Sequence, residues 1–459
     1  MINTPIDVDY FQKIINKLET QVDYADIRVE DSQSNTIIMK DGKIDNVDSG
    51  INYAVSIRVL KNGAWGSAYT TEHEKVEDIA TKATTLAAHL KSDVKLTPPD
   101  PQEDIVTSDA KIKIDDVTFD EKIDAMKDAN QAAQLDEIQS TNIVYSEAQS
   151  TSLLLSTEGT NILSENNRTL MSMNTVANNG EVMQIGHKSL GAVGGFEVVA
   201  DADLEVFGRQ IAEKAINLLD AKTPPSGNFP VILDPELAGV FIHEALGHAS
   251  EADIILQNDS ILKGRLGEKI GSDLITVVDD ASCKQGFGYY AYDVEGTKTS
   301  KNVLVENGVL KSVLSSRETA EKLGRKSSGN ARCPLGDQTI VRMSNTYIQP
   351  GDSSFDELIE GIHDGIYLKG SRGGQVDTGR GVFQFNAVEA YTINNGELGE
   401  HIRDVSLSGS TLDILNNVEG VGSDFALSVG FCGKDGQTAP VGDGGPHIKV
   451  SKATVGGVQ

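Results

Sequence analysis

The chain has 459 residues, with 68 acidic side chains against 40 basic ones and a formal charge of −28. Acidity spread along the whole length repels nucleic-acid phosphates and anionic lipid, so direct binding to nucleic acid is not expected. A mean hydropathy of −0.24 and the lack of any apolar run near ~20 residues exclude a helical membrane span, while the length leaves room for about two or three domains.

The first residues lack a basic stretch followed by an apolar one, so no secretion signal is expected there. Residues 8–20 predict an amphipathic helix, with Phe11, Ile14, Ile15 and Leu18 spaced three or four apart. Strand-like runs follow at 25–29, 36–40 and 53–60, with Asp41-Gly42 marking a tight hairpin. A second helix is predicted at about 74–90, ahead of the proline-rich acidic stretch 96–104, a candidate sub-boundary. The pattern then gives a helix near 119–133 and a long-stranded antiparallel sheet over 140–200, where Ser, Thr, Asn and β-branched residues concentrate. A helix over 203–219 leads into residues 221–228, the expected division between an N-terminal region 1–222 and a C-terminal domain 223–459.

Beyond it, residues 229–233 read as a strand, and Asp234-Pro235 as an N-cap followed by proline at the first helical position. Asn307-Gly308 and Asn395-Gly396 each separate alternating apolar runs and predict hairpins. The glycine-rich stretch 361–381, with Gly370, Gly373, Gly374, Gly379 and Gly381, lacks a G-x-x-x-x-G-K-[ST] phosphate cradle and is expected to be a mobile loop.

Near the middle of the helix predicted from Pro235 lies His243-Glu244-Ala245-Leu246-Gly247-His248. Two imidazoles and an adjacent carboxylate are what a hydrolytic zinc site needs: donors for the ion and a base beside it. In the familiar H-E-x-x-H the histidines are four apart and share a helical face. Here they are five apart, which at ~100° per residue leaves them about 140° out of line on a regular helix. A local widening or break is therefore expected, and Gly247 is where it costs least. The preceding residues 237–242 are apolar, so histidines emerging from them are expensive to bury without partners.

Glu251 and Asp253 come one turn later, placed either to accept from His248 or to sit on a solvated face. A catalytic zinc takes three protein donors and leaves a position open. Spacing alone leaves the third donor among Glu251, Asp253, His363, Cys432 and His447. Cys432 sits in a small-residue turn with Lys434 close enough in sequence to favour its thiolate. Cys283 and Cys333 have no such surroundings and read as inert. An odd set of three cysteines without C-x-x-C suits a reducing cytoplasm. The expected fold class is α+β: an N-terminal α/β region with a mixed or antiparallel sheet, then a predominantly antiparallel β domain carrying a metal-binding helix.

Residues 241–248 with Glu251-Ala252-Asp253 resemble the signature of the TldD/PmbA family of metallopeptidases, also called modulators of DNA gyrase. Further similar stretches follow in the family's order at 305–310, 342–347, 373–377, 432–437 and 440–442. The resemblance covers essentially all of residues 223–455 and, more loosely, the N-terminal part. It implies that His243, His248 and Cys432 hold one Zn2+ per active subunit, and that Glu244 is the catalytic base acting on zinc-bound water. Because the metal motif is kept, the chain resembles the catalytic TldD type rather than the metal-free PmbA (TldE) type. Extended, unfolded peptides cut with little sequence preference are the implied substrates. A homodimer, or a heterodimer with a metal-free PmbA/TldE-type relative, is the implied assembly. His363 and His447 match no functional position of the family.

Arg342 and Tyr347 are candidates to donate to an oxyanion. The net charge predicts a preference for neutral or basic peptides. Two alternatives stand beside this reading. One is a non-catalytic peptide-binding subunit with a structural metal; the other is a metal-free hydrolase with Cys432 as nucleophile and a histidine as its base.

Overall fold

A computed structural model describes residues 6–457. Helix α1 (Val8–Glu19) begins where Asp7 accepts from the Tyr10 amide, and it buries Phe11, Ile14, Ile15 and Leu18, the residues whose spacing predicted it. β1 (Tyr24–Lys40) and β2 (Lys43–Lys61) form one long hairpin, paired from Tyr24↔Leu60 to Lys40↔Lys43. Asp41 and Gly42 turn it at φ 50° and 74°, the left-handed pair that a two-residue hairpin requires. The strand-like runs are thus the apolar portions of longer strands, whose polar stretches pair through backbone and through side chains such as Ser49, which donates to Asn35. β3 (Ala64–Thr70) and α2 (Val76–His89) follow, and β4 (Glu103–Val106) takes up the last residues of the proline-rich stretch. α3 (Phe119–Ala132), opened by a Thr118/Glu121 capping box, leads into β5 (Ile138–Ser156), β6 (Asn161–Asn178) and β7 (Met183–Val193). Short α4 (Glu197–Ala200) and α5 (Leu204–Asn217) close this half.

The sheet order is β3-β2-β1-β5-β6-β4, with β7 also paired to β6. β4 joins β6 in parallel, and the other pairings are antiparallel. One face is apolar at both ends: Ile27 and Val29 pack under α1 and α2, and Ile37 and Met39 under α3 and α5, with Asn35 hydrogen-bonded to Glu147 between the two clusters. The alternate residues of β1, Asp26 and Arg28, are buried too. They are covered by later parts of the chain, so that Arg28 Nη1 donates to Cys333 Sγ at 3.1 Å.

The remainder runs β8 (Gly227–Leu233), α6 (Pro235–Ile242), α7 (Ala252–Leu256), β9 (Val277–Asp280), β10 (Lys301–Glu306), β11 (Val309–Leu310) and α8 (Arg317–Lys322). Then come β12 (Ala331–Arg332), β13 (Ile340–Val341), β14 (Asn345–Ile348), α9 (Phe355–Ile359), β15 (Asp364–Asp377), β16 (Val382–Asn394) and β17 (Glu397–Ser410). The chain ends with α10 (Thr411–Asn416), β18 (Val418–Val421), β19 (Ala426–Lys434), β20 (Gln437–Gly445) and β21 (Ile448–Gly457). Two six-stranded sheets result among the described residues, in the orders β11-β10-β9-β14-β20-β19 and β17-β16-β15-β8-β21-β18. Their pairings are antiparallel except β14–β20 and β15–β8. The largest apolar cluster draws on both sheets and includes Leu237, Phe241 and Ile242 of α6.

The fold is α+β, with strands predominating. Asn307-Gly308 and Asn395-Gly396 turn hairpins as expected. Most of the glycine-rich stretch is strand rather than loop, and residues 378–381 form the turn that follows it. β15 runs through it to Asp377, and a Cβ on Gly374 would lie 2.2 Å from Phe385 Cδ1, so glycine there lets β16 pack close beside a bulge. Among the described residues, no helix is long and apolar enough to cross a membrane.

Candidate metal centre

Asp234 caps α6 by accepting from the Leu237 amide at 2.9 Å, with Pro235 at the first turn. Gly239 lets the helix close on β20, because a Cβ there would lie 2.5 Å from the Gly444 nitrogen. At Ile242 the α-helix gives way to a π turn over His243–Gly247, in which the His248 amide donates to the His243 carbonyl. The H-E-x-x-x-H segment therefore continues past the end of α6 rather than lying in its middle. An i→i+5 bond widens the turn, so residues five apart come round to one side. Gly247 packs against Met343, whose Sδ would lie 2.1 Å from a Cβ.

The two imidazoles stand nearly perpendicular, at 86°, with ring centroids 5.4 Å apart. Cys432 of β19 is buried and brings its Sγ to 3.3 Å from His248 Nε2. One donor atom from each of His243, His248 and Cys432 lies within 4.8 Å of the other two, the one such group among the described residues. Glu244 places Oε2 3.9 Å from His248 Nε2 and keeps its side chain 32% exposed. Glu251 is fully buried, and its Oε2 accepts from His248 Nδ1 at 3.0 Å.

Asp253 does not reach His248. It accepts instead from Lys434 Nζ at 2.7 Å and from the Val341 amide at 3.0 Å. Lys434 directs its remaining hydrogen bonds to Glu251 Oε2 and the Val341 carbonyl, so it serves these acids rather than the sulfur. Both oxyanion candidates are engaged elsewhere. Arg342 is buried with Nη2 donating to the Cys432 carbonyl at 2.5 Å and Nη1 to the Gln437 carbonyl at 3.2 Å. Tyr347 donates to Asp280 at 3.3 Å and packs on Phe425. His363 pairs with Asn395, and His447 with Asp424 and Tyr367, so neither joins the cluster.

Burial opposes ionisation of the Cys432 thiol, but hydrogen bonds and charge from His243 and His248 pull it down to about 5. Burial likewise works against protonated rings. The adjacent sulfur still raises His243, and sulfur with Glu251 holds His248 well above its usual value. The shifts are reciprocal: the thiolate stabilises charged rings, and the rings stabilise the thiolate. His243 Nδ1 is buried without a hydrogen-bond partner, an expensive state for a ring nitrogen unless a ligand takes it up. Two nitrogens and one thiolate form a borderline-soft donor set, and the residues present fit a zinc ion.

Asp443 on β20 escaped the sequence reading. Burial raises its carboxyl to about 6 against the opposing influence of His243, and its Oδ1 has no partner. A lone aspartate among glycines offers no spacing signal, and only strand pairing brings it near the histidines.

Models of the PmbA/TldA metallopeptidases match in three parts: domain 1 over residues 25–87, the central domain over 112–219 and the C-terminal domain over 226–457. The chain belongs to the PmbA/TldA metallopeptidase family. Among PmbA/TldA relatives, a metalloprotease of Methanothermobacter thermautotrophicus is 52% identical over 98% of this chain and 99% of its own. The zinc metalloprotease TldD homolog of Saccharolobus solfataricus is 35% identical over 97% of this chain and 99% of its own. The crystal structure of TldE from Thermococcus kodakarensis superposes with a TM-score of 0.81 over 97% of this chain and all of that one. At 21% identity, that likeness speaks for the fold alone.

Proposed function

We propose that the protein is a zinc-dependent peptidase acting on extended, unfolded peptides with little sequence preference, with Glu244 as general base. The observation that carries this reading is the convergence of His243, His248 and Cys432 beside a part-exposed Glu244 carboxylate. A zinc ion held by the three donors would supply Lewis acidity toward a peptide carbonyl. In this reading Glu244, with Oε2 3.9 Å from His248 Nε2, takes a proton from the attacking water and returns it to the departing amine nitrogen. Glu251 fixes the His248 ring through Nδ1, which leaves Nε2 turned toward the sulfur. It stands on the far side of that ring, and Asp253 is held by Lys434, so neither closes the site as a fourth donor.

The strand that carries Cys432 supports the proposed substrate class. β19 pairs with β20 alone among the described strands, leaving its outer backbone groups unpaired by strand bonds. A cleft of about 890 Å3 runs beside it, lined by residues 426–429 and by 187–192 of β7. An extended peptide laid along that edge is held by its backbone, with little reading of side chains. The same proposal takes the active assembly as a homodimer or a heterodimer with a metal-free TldE-type relative.

Metal analysis and peptide cleavage test the reading together. Glu244→Gln keeps the zinc and loses turnover by about a hundredfold or more. Cys432→Ser loses most of both. Metal retained at full occupancy in Cys432→Ser would remove the sulfur from the site.

The thiolate paired with His248 at 3.3 Å also suits a second reading, a metal-free hydrolase with Cys432 as nucleophile. Activity lost to a chelator and restored by zinc rejects it; activity indifferent to chelator and abolished by a thiol reagent supports it.

A further inference from the structure

Where the polar face of the first sheet meets the later part of the chain, guanidinium groups gather without their usual counter-ions. Arg168 on β6, Arg332 on β12 and Arg342 line a cavity of about 280 Å3, with Asn166 in its wall. Arg28 lies close by, its Nη1 on the sulfur of Cys333, another residue of that wall. Elsewhere in the same interface, buried arginines meet carboxylates: Arg58 has Asp26 at 2.6 Å, and Arg317 has Glu158 at 2.7 Å. Among the described residues, no carboxylate lies within ion-pair distance of Arg28, Arg168, Arg332 or Arg342.

The partners these four do have are neutral. Arg168 donates to the carbonyls of Phe287 and Tyr289, and Arg332 to those of Met343 and Pro440. Arg342 donates to the carbonyls of Cys432 and Gln437. Arg28 Nε and Nη2, and Arg342 Nε, are buried with no partner at all, and Arg342 is only 1% exposed. Burying a cation without an opposite charge is costly, and carbonyl dipoles offset only part of that cost. Burial, with the charge of Arg332 added, brings Arg168 down to about 10. Two carboxyls, Glu30 and Asp293, share the wall and are outnumbered by its three arginines. Burial raises Glu30 while the charges of Arg28 and Arg168 pull it down, and burial raises Asp293 to about 7, whose oxygens are taken by the amides of Glu295, Thr297 and Ala331. A chain of charge −28 thus encloses a pocket of surplus positive charge.

We propose that this cavity is a binding site for a small oxyanion, held by charge-assisted hydrogen bonds from Arg168, Arg332 and Arg342. Planar guanidinium forks match the geometry of a carboxylate or a phosphate, and the volume admits one such group with little attached to it. The site lies behind the metal donors. Arg342 grips the backbone of Cys432, and Arg332 grips that of Met343, against which Gly247 packs. Two sources supply this chemistry: a free inorganic oxyanion, or the C-terminal carboxylate of a peptide.

Calorimetric titration of the full-length protein with inorganic phosphate tests the site without any turnover, so its outcome is independent of the peptidase reading. Saturable binding at one ion per chain is expected, weakened about tenfold or more in Arg168→Gln. Asn166→Asp places a repelling carboxylate in the wall at unchanged volume, removes no arginine contact, and should weaken binding to a similar degree. A short peptide with a free C-terminus, titrated beside its C-terminal amide, separates the sources. Tighter binding of the free acid, competed by phosphate, assigns the site to a peptide terminus; phosphate binding with no preference between the peptides assigns it to a free ion. Failure of phosphate to saturate, or affinities unchanged in both variants, overturns the proposal.

Discussion

Behind His248, Glu251 Oε2 accepts from Nδ1 at 3.0 Å and from Lys434 Nζ at 3.0 Å, while its Oε1 is buried without a partner. A carboxylate so placed fixes the ring's orientation and raises its basicity toward anything bound at Nε2. Glu251→Gln should therefore weaken zinc binding about 10- to 100-fold, read by competition against a chelator, with the fold kept. An unchanged affinity would make Glu251 merely a counter-ion for Lys434. Residues at this scale were legible where chemistry and spacing are local: His243, Glu244, His248 and Glu251 all lie within nine positions of one another. Asp253 lies equally near in sequence, yet Lys434, 181 positions away, holds it off the ring. Arg342 has a donor group suited to a reaction oxyanion at the metal, but its Nη1 and Nη2 are directed to the backbone of the Cys432 hairpin instead. No local pattern announces either outcome.

Among the elements, α6 and its π turn set the geometry of the donors. Gly239 meets the β20 backbone so closely that a Cβ would lie 2.7 Å from Gly444 Cα, and backbone cannot swing aside as a side chain can. Gly239→Ala should push α6 off β20 and destabilise the protein by about 1–3 kcal/mol, with lowered zinc occupancy. Thermal denaturation with metal analysis checks both; a stable variant with full metal would show that the helix position is not critical. In the third sheet, Glu389 of β16 lies between Lys369 of β15 and His401 of β17, each 3.0 Å away. Burial would raise its carboxyl, but hydrogen bonds from His401 and Lys369 lower it to about 2. A depressed carboxylate contributes stability that is present above its unfolded pKa and lost as pH falls through the folded value. The stability gap between wild type and Glu389→Gln should then be full at neutral pH and close between about pH 4.5 and 2. Urea midpoints across that range read it, and a gap independent of pH would refute the assignment.

For the whole molecule, polar contacts tie the first sheet to the later chain. Arg317 joins Glu158, Trp65 Nε1 donates to Glu318, and Arg58 lies between Asp26 and Glu295. A division at residues 222/223 remains a proposal, and these contacts bear on how it is tested. Arg317→Ala removes the bonds to the part-exposed Glu158 and to the Thr97 carbonyl and should cost about 1.5–3 kcal/mol, within one cooperative transition if the two parts melt together. Two separate transitions in the wild type would instead support independent parts. The sequence alone determined the hairpins at Asp41-Gly42, Asn307-Gly308 and Asn395-Gly396, the amphipathic α1, the cap of α6 and the need to widen the helix between His243 and His248. Each of those rests on the dihedral preferences or side-chain spacing of a few adjacent residues, which act before the chain has a global shape. Only the tertiary structure decided that the sulfur of Cys432 meets the two rings, that Asp443 comes near them, and that most of the glycine-rich stretch is strand. Strand pairing settles these points. It joins segments far apart in sequence, and backbone hydrogen bonds and burial stabilise the pairing only after those segments meet.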